Sequence, residues 1–159
     1  MFGTQFYPSP PWLIEKLTAH LYREYKGESY LSQGKILDPS AGKGDILDYI
    51  KAKERHHWNP RGKLYAIEID PALRAVLIDK GHAVIDSDFL EYKGLEYFDH
   101  IIMNPPFLHG VQHLLHAFEI SHGALIKCVL NAESINNPYS KERRRLLHLI
   151  ESNQGTVGS

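Results

Sequence analysis

Asn104-Pro105-Pro106-Phe107 is the segment of this 159-residue chain whose residue types speak most directly of chemistry. Two consecutive prolines fix the backbone and remove two N–H donors, so the segment presents carbonyl acceptors. The Asn104 side-chain oxygen and the Pro105 carbonyl can together accept both hydrogens of one NH2 group. That pair would hold a planar amine, aim its nitrogen lone pair and stabilise positive charge developing there. Phe107 supplies a face for a planar base or amide. No general base is required, because an alkylated amine is acidic enough to lose its proton afterwards. Alone, the four residues describe a rigid loop with a buried phenylalanine; their place directly after a strand favours the chemical reading.

Asp38-Pro-Ser40-Ala41-Gly42-Lys43-Gly44-Asp45 is the second such segment, a glycine loop between a strand and a helix. Glycines there permit positive φ and let a ligand lie against the main chain. A phosphate-binding P-loop requires Ser or Thr after its lysine, and Gly44 follows Lys43. A dinucleotide fingerprint requires a third glycine or alanine where Leu47 stands. Asp38, acidic at the strand end, suits a cationic ligand group. The ammonium and sulfonium charges of S-adenosylmethionine fit better than a phosphate. The plainer alternative is a tight turn with Asp38 capping the helix.

Two more acidic strand ends follow. Glu68 closes Leu64-Tyr-Ala-Ile-Glu68, where a carboxylate can accept from ribose hydroxyls. It lies 24 residues beyond Gly44, against a usual separation of about 20. Asp88-Phe89 can bracket a purine, the carboxylate accepting from an exocyclic amine and the ring packing on the face. Each carboxylate singly reads as a solvated surface group; three in order behind one glycine loop read as a site. His109, His113 and His116 share a helix face but lack a nearby cysteine, and solvated or partly packed histidines beside the site mouth, equally able to touch substrate, explain them better than a metal. Lys141-Glu-Arg-Arg-Arg145 is the concentrated basic run, a solvated face or a phosphate contact. Trp58 reads equally as a loop anchor or a base-stacking residue.

The elements that must position these groups alternate short β-rich runs with amphipathic stretches, which predicts an α/β fold with a mainly parallel sheet. Leu13, Ile14, Leu17 and Leu21 predict a helix from Pro10 to Tyr25. Strands are expected at 35–38, 64–70, 82–86, 98–103 and 124–131. Helices are expected at 45–54, from Pro71 to Gly81, at 111–122, and after an N-capping Ser140, the last with Leu146, Leu147 and Ile150 inward. Arg55 to Gly62 reads as an exposed excursion. The 18 Lys and Arg nearly balance 19 Asp and Glu, so a polyanion would have to be held by a local patch. Lone Cys128 fits a reducing cytoplasm, and no apolar run is long enough to span a membrane.

Asp38 to Asp45, Glu68-Ile69-Asp70, Asp88-Phe89 and Asn104 to Phe107 occur in the order of class I S-adenosylmethionine-dependent methyltransferases. The chain most resembles the branch that methylates exocyclic amines, the adenine-N6 DNA methyltransferases of phages and restriction-modification systems. Phe6-Tyr7-Pro8-Ser9-Pro10 is similar to that family's leading motif. The resemblance implies a Rossmann-like, doubly wound sheet of order 3-2-1-4-5 in a single domain over residues 1–159. It implies that Tyr7, Ser9, Asp38, Ser40, Ala41, Gly42 and Gly44 surround the methionine part of the cofactor. Glu68 and Ile69 would hold the ribose side, and Asp88 and Phe89 the adenine. Asn104, which also lines the cofactor, would receive with Pro105, Pro106 and Phe107 a base flipped from DNA.

Family sheets end in an antiparallel hairpin, and this chain stops where that hairpin begins. The resemblance thus implies a C-terminally shortened domain without a target-recognition domain, its fifth strand open to a protein partner or to self-association. RNA adenine and protein glutamine are the alternative substrates; only about 34 residues precede the first strand, too few for the helical domain of the glutamine enzymes. The alternative of another class is a non-catalytic protein that binds cofactor or a partner. The expected setting is a bacterial or phage-encoded cytoplasmic protein with no membrane contact.

Overall fold

The computed structural model describes residues 8–31, 34–54, 62–131, 140–153 and 155–158. Tyr7, Phe6 and Trp58 lie outside them, as does most of the expected 55–62 excursion. Helix α1 (Pro11–Thr18) opens with a proline at its first position, where the missing N–H costs nothing. It does not run on to Tyr25. Thr18 Oγ1 donates to the Ile14 carbonyl (2.8 Å), a 3-10 turn covers Ala19–Leu21, and the chain enters a hairpin of β1 (Tyr22–Tyr25) and β2 (Glu28–Leu31). Lys26 (φ 52°) and Gly27 (φ 79°) make the turn, with the two positive φ values that match strand twist.

The main sheet contains β3 (Gly34–Asp38), β4 (Gly62–Ile67), β5 (Ala83–Asp86), β6 (His100–Met103) and β7 (Leu125–Cys128). Their spatial order is β5-β4-β3-β6-β7 and every pairing is parallel. Sequence order therefore reads 3-2-1-4-5, as expected. The connecting helices are α2 (Asp45–Glu54), α3 (Pro71–Asp79) and α4 (Gly110–Ile120), with α5 (Lys141–Ser152) following β7. Ser140 Oγ accepts from the Arg143 N–H at the start of α5 (3.2 Å). In α5, Leu146 is buried and Leu149 and Ile150 pack with it.

Adjacent apolar residues on the central strands serve opposite layers, as a sheet covered on both faces requires. Ile36 and Ile102 pack with Ile14, Leu17, Ile46 and Ile50 of α1 and α2. Leu37 and Ile101 pack with Phe89, Phe98, Ala117 and Ile120 on the α4 side. The order reverses between β3 and β6, so the loops after β3, β4 and β6 meet at a switch point, the usual crevice for ligands. No helix among the described residues is long and apolar enough to cross a membrane.

Candidate functional site

Asp38 is the last residue of β3 and only 1% exposed. Its carboxylate accepts from the Ser40 N–H (3.1 Å). Burial pushes this carboxyl up to about 7; the Ser40 N–H pulls against it, while nearby Glu68 and Asp45 push it further up. Beside it the Ser40 hydroxyl is sealed from solvent and has no hydrogen-bond partner. A buried carboxyl beside an orphaned hydroxyl is a pair whose two costs a cationic, hydrogen-bonding ligand would relieve at once. That chemistry fits the ammonium end of S-adenosylmethionine.

The loop that follows is tied to β4. Ala41 donates to the Ile67 carbonyl (3.1 Å), and its methyl group packs with Leu47, Ala66 and Leu77. Gly42, at φ 59°, donates to Glu68 Oε2 (2.6 Å). Gly44 is closely packed from behind. At φ 97°, a Cβ there would stand 2.9 Å from Leu77 Cδ2 and 3.1 Å from His82 Nε2. This glycine therefore admits Leu77 of the neighbouring helix and the His82 ring.

Glu68 follows β4, and its second oxygen accepts from the Asp70 N–H (2.9 Å). Two backbone donors thus hold the carboxylate in place, and each oxygen keeps a lone pair for a hydroxyl. Arg74, which carries no sequence signal, donates to the carbonyls of Glu68 (2.7 Å) and Ile69 (3.2 Å) and so holds the strand end. In sequence it is one more helix cation. The Ile69 side chain is 60% exposed, an apolar surface beside the acidic one.

Asp88 accepts from the Leu90 N–H (3.0 Å) and caps the 3-10 turn Phe89–Glu91. The expectation for Phe89 needs correction. It is 2% exposed and belongs to the core, with ring centroids of His116 and His113 at 4.9 and 5.7 Å. A purine face therefore does not find its partner in this ring. His116 Nε2 donates to the Tyr92 carbonyl (2.9 Å) and His113 Nδ1 to that of His109 (2.9 Å). His113 and His116 pack against Phe89, while His109 is exposed with its Nδ1 3.2 Å from Gln112 Oε1.

Asn104 leaves the end of β6. Its Nδ2 donates to Ser9 Oγ (3.0 Å), which brings the leading motif and the Asn-Pro-Pro-Phe segment together across 95 residues. The bond turns the amide so that Oδ1 lies on its other edge, and the Ser9 hydrogen remains available to donate. Pro105 is buried and Pro106 half-buried, so the loop is backed by protein, while Phe107 is 41% exposed.

No family model and no curated protein matches the sequence. In three dimensions the chain is similar to the methyltransferase subunit of the type I restriction-modification system from Streptococcus thermophilus. The TM-score is 0.66 at 18% identity, over 90% of this chain and 38% of that one. It is similar also to a modification subunit assigned to a type I restriction enzyme of Vibrio vulnificus YJ016. There the TM-score is 0.63 at 13% identity, over 91% of this chain and 38% of that one. A third likeness is to coclaurine N-methyltransferase bound to N-methylheliamine and SAH, with a TM-score of 0.51 at 13% identity, over 75% and 34% of the two chains. This chain thus spans 38% of the length of each restriction subunit. By strand order, loop placement and these likenesses, the chain has the class I S-adenosylmethionine-dependent methyltransferase fold.

Proposed function

We propose that this chain binds S-adenosylmethionine in the crevice beyond β3 and β4 and methylates an exocyclic amine held at Asn104 to Phe107. Adenine N6 in DNA is the substrate this reading favours. The observation that carries it is the Asn104 amide, pinned by Ser9 with its oxygen left to accept, at the switch point beside buried Asp38. When bound, S-adenosylmethionine supplies an electrophilic methyl group on a sulfonium. Asp38 and the Ser40 hydroxyl bind the ammonium end, Ser9 donates to the carboxylate, and Glu68 accepts from the ribose. Asn104 Oδ1 and the Pro105 carbonyl hold the amine by its two hydrogens and stabilise the positive charge that grows as its nitrogen is alkylated. Phe107 stacks on the base, which must leave the helix to present its nitrogen. The likeness to two restriction-modification subunits favours DNA over other amine carriers.

Transfer of labelled methyl groups to an adenine-containing duplex, compared with RNA and a glutamine peptide, tests the substrate. Asn104→Ala is expected to lose roughly 100-fold or more in transfer, a loss larger than the weakening of S-adenosylhomocysteine binding that follows from releasing Ser9. Equal transfer by parent and variant overturns the assignment of Asn104.

A further inference from the structure

The glycine loop is held from behind by a group that reads in sequence as surface charge. Helix α3 ends in a Schellman turn: Gly81 donates to the Ile78 carbonyl (2.9 Å), His82 donates to that of Leu77 (3.0 Å), and Gly81 takes φ 82°. This turn aims the residues on either side of Gly81 at the loop after β3. Lys80 Nζ donates to the Lys43 carbonyl (2.7 Å) and to Asp48 Oδ2 (2.7 Å). His82 Nε2 meets Asp48 Oδ1 (2.7 Å), with the ring closing on Gly44. On its other edge, the Lys43–Gly44 peptide donates its N–H to the Ala41 carbonyl (2.8 Å). One peptide plane is therefore gripped at both ends, by Lys80 outside the loop and Ala41 within it. The plane's rotation sets φ at Gly44 and, through the Ala41 carbonyl, the tilt of the Gly42 segment.

We infer that Lys80 is a positioning residue for the cofactor site, clamping the Lys43–Gly44 peptide so that the glycine loop is in its binding conformation before ligand arrives. The inference rests on the proposed cofactor reading. Its energetic logic is preorganisation: a loop that must first be ordered weakens binding by the cost of ordering it. Lys80 acts through the loop backbone and has no role in the transfer itself.

The test uses the full chain and S-adenosylhomocysteine as probe, titrated by calorimetry into the parent, Lys80→Met and Lys80→Arg. Lys80→Met keeps the apolar stem and loses the donor; its affinity is expected to fall about tenfold, with Lys80→Arg recovering part of the loss. Hydrogen exchange at the Gly44 amide is expected to accelerate in Lys80→Met, with other sheet amides unchanged. Unchanged affinity in folded Lys80→Met overturns the clamp, and so does a loss of affinity matched by exchange accelerating across the whole sheet. If the parent does not bind the probe, the cofactor reading fails. The Gly44 exchange rate then decides the clamp alone, a selective rise supporting it and no change overturning it.

Discussion

At Asp38, ligand capture and stability pull against each other. Its carboxyl is carried from 3.8 to about 7, chiefly by burial, with the Ser40 N–H opposing and the Glu68 and Asp45 carboxylates adding to the rise. A carboxyl raised in the folded state stabilises the fold fully below the unfolded value, and that contribution is lost as pH climbs through the folded value. For the ligand-free chain the loss amounts to about 4 kcal/mol between pH 4 and 8, at 1.36 kcal/mol per unit. Asp38→Asn keeps an acceptor for Ser40 and removes the charge. It is expected to match the parent near pH 4 and to be more stable by up to that amount at pH 8. The same substitution should abolish measurable S-adenosylhomocysteine binding. Thermal melts at the two pH values read the first effect and calorimetry the second; a stability difference that does not grow with pH overturns the electrostatic account.

At the scale of elements, the two glycines that flank His82 and the loop separate backbone freedom from packing. Gly81 and Gly44 both hold positive φ, 82° and 97°. A Cβ on Gly81 meets nothing within 4 Å, whereas one on Gly44 collides with Leu77 and His82. Gly81→Ala is expected to cost about 1–2 kcal/mol, the left-handed penalty of an L residue. Gly44→Ala adds overpacking and is expected to cost about 1–3 kcal/mol more. Denaturant midpoints measure both, and equal losses would show that packing behind Gly44 yields freely. Such distinctions mark the limit of what a one-dimensional reading contains. The mainly parallel α/β sheet and the glycine loop are legible because short β runs alternate with amphipathic helices, and Asp38, Glu68 and Asn104 fall at strand ends; the strand order follows from the family resemblance. The Tyr22–Leu31 hairpin is not, because Leu17 and Leu21 continue helical spacing up to a Lys26-Gly27 turn that lacks the usual Asn-Gly form. Phe89 misleads because an aromatic after an acidic residue has the same letters whether its ring faces cleft or core. Arg74 and Lys80 act on backbone carbonyls, and a carbonyl has no sequence identity to pair with.

Across the molecule, Asp38 is opposed by a histidine pair from a different part of the sheet. His20, on the turn after α1, and His100, at the start of β6, stand with ring centroids 5.2 Å apart. Both His20 ring nitrogens and His100 Nδ1 are sealed from solvent without hydrogen-bond partners. Burial, then Lys127 and His100, lower His20 from 6.5 to about 4 against a pull from the Leu17 backbone, and burial lowers His100 against a pull from Asp99. A histidine depressed in the fold contributes stability present above its unfolded value and lost as pH falls toward the folded one. Between pH 4 and 6.5 the unfolded chain binds a proton at His20 that the folded chain refuses, while the folded chain keeps a proton at Asp38 that the unfolded chain has released. The two slopes have opposite sign over the same window, so the parent's stability should vary less with pH there than either group alone dictates. His20→Phe removes one slope and is expected to leave a protein that loses stability as pH rises from 4 to 6.5. Asp38→Asn removes the other and should lose stability as pH falls through that range. Denaturant unfolding at half-unit steps of pH, on parent, both single variants and the double, measures the two slopes. The double variant should keep the rise with pH that lowered His100 and His113 contribute. Parallel curves for all four proteins would mean that neither buried group carries its proton differently in the folded and unfolded chain.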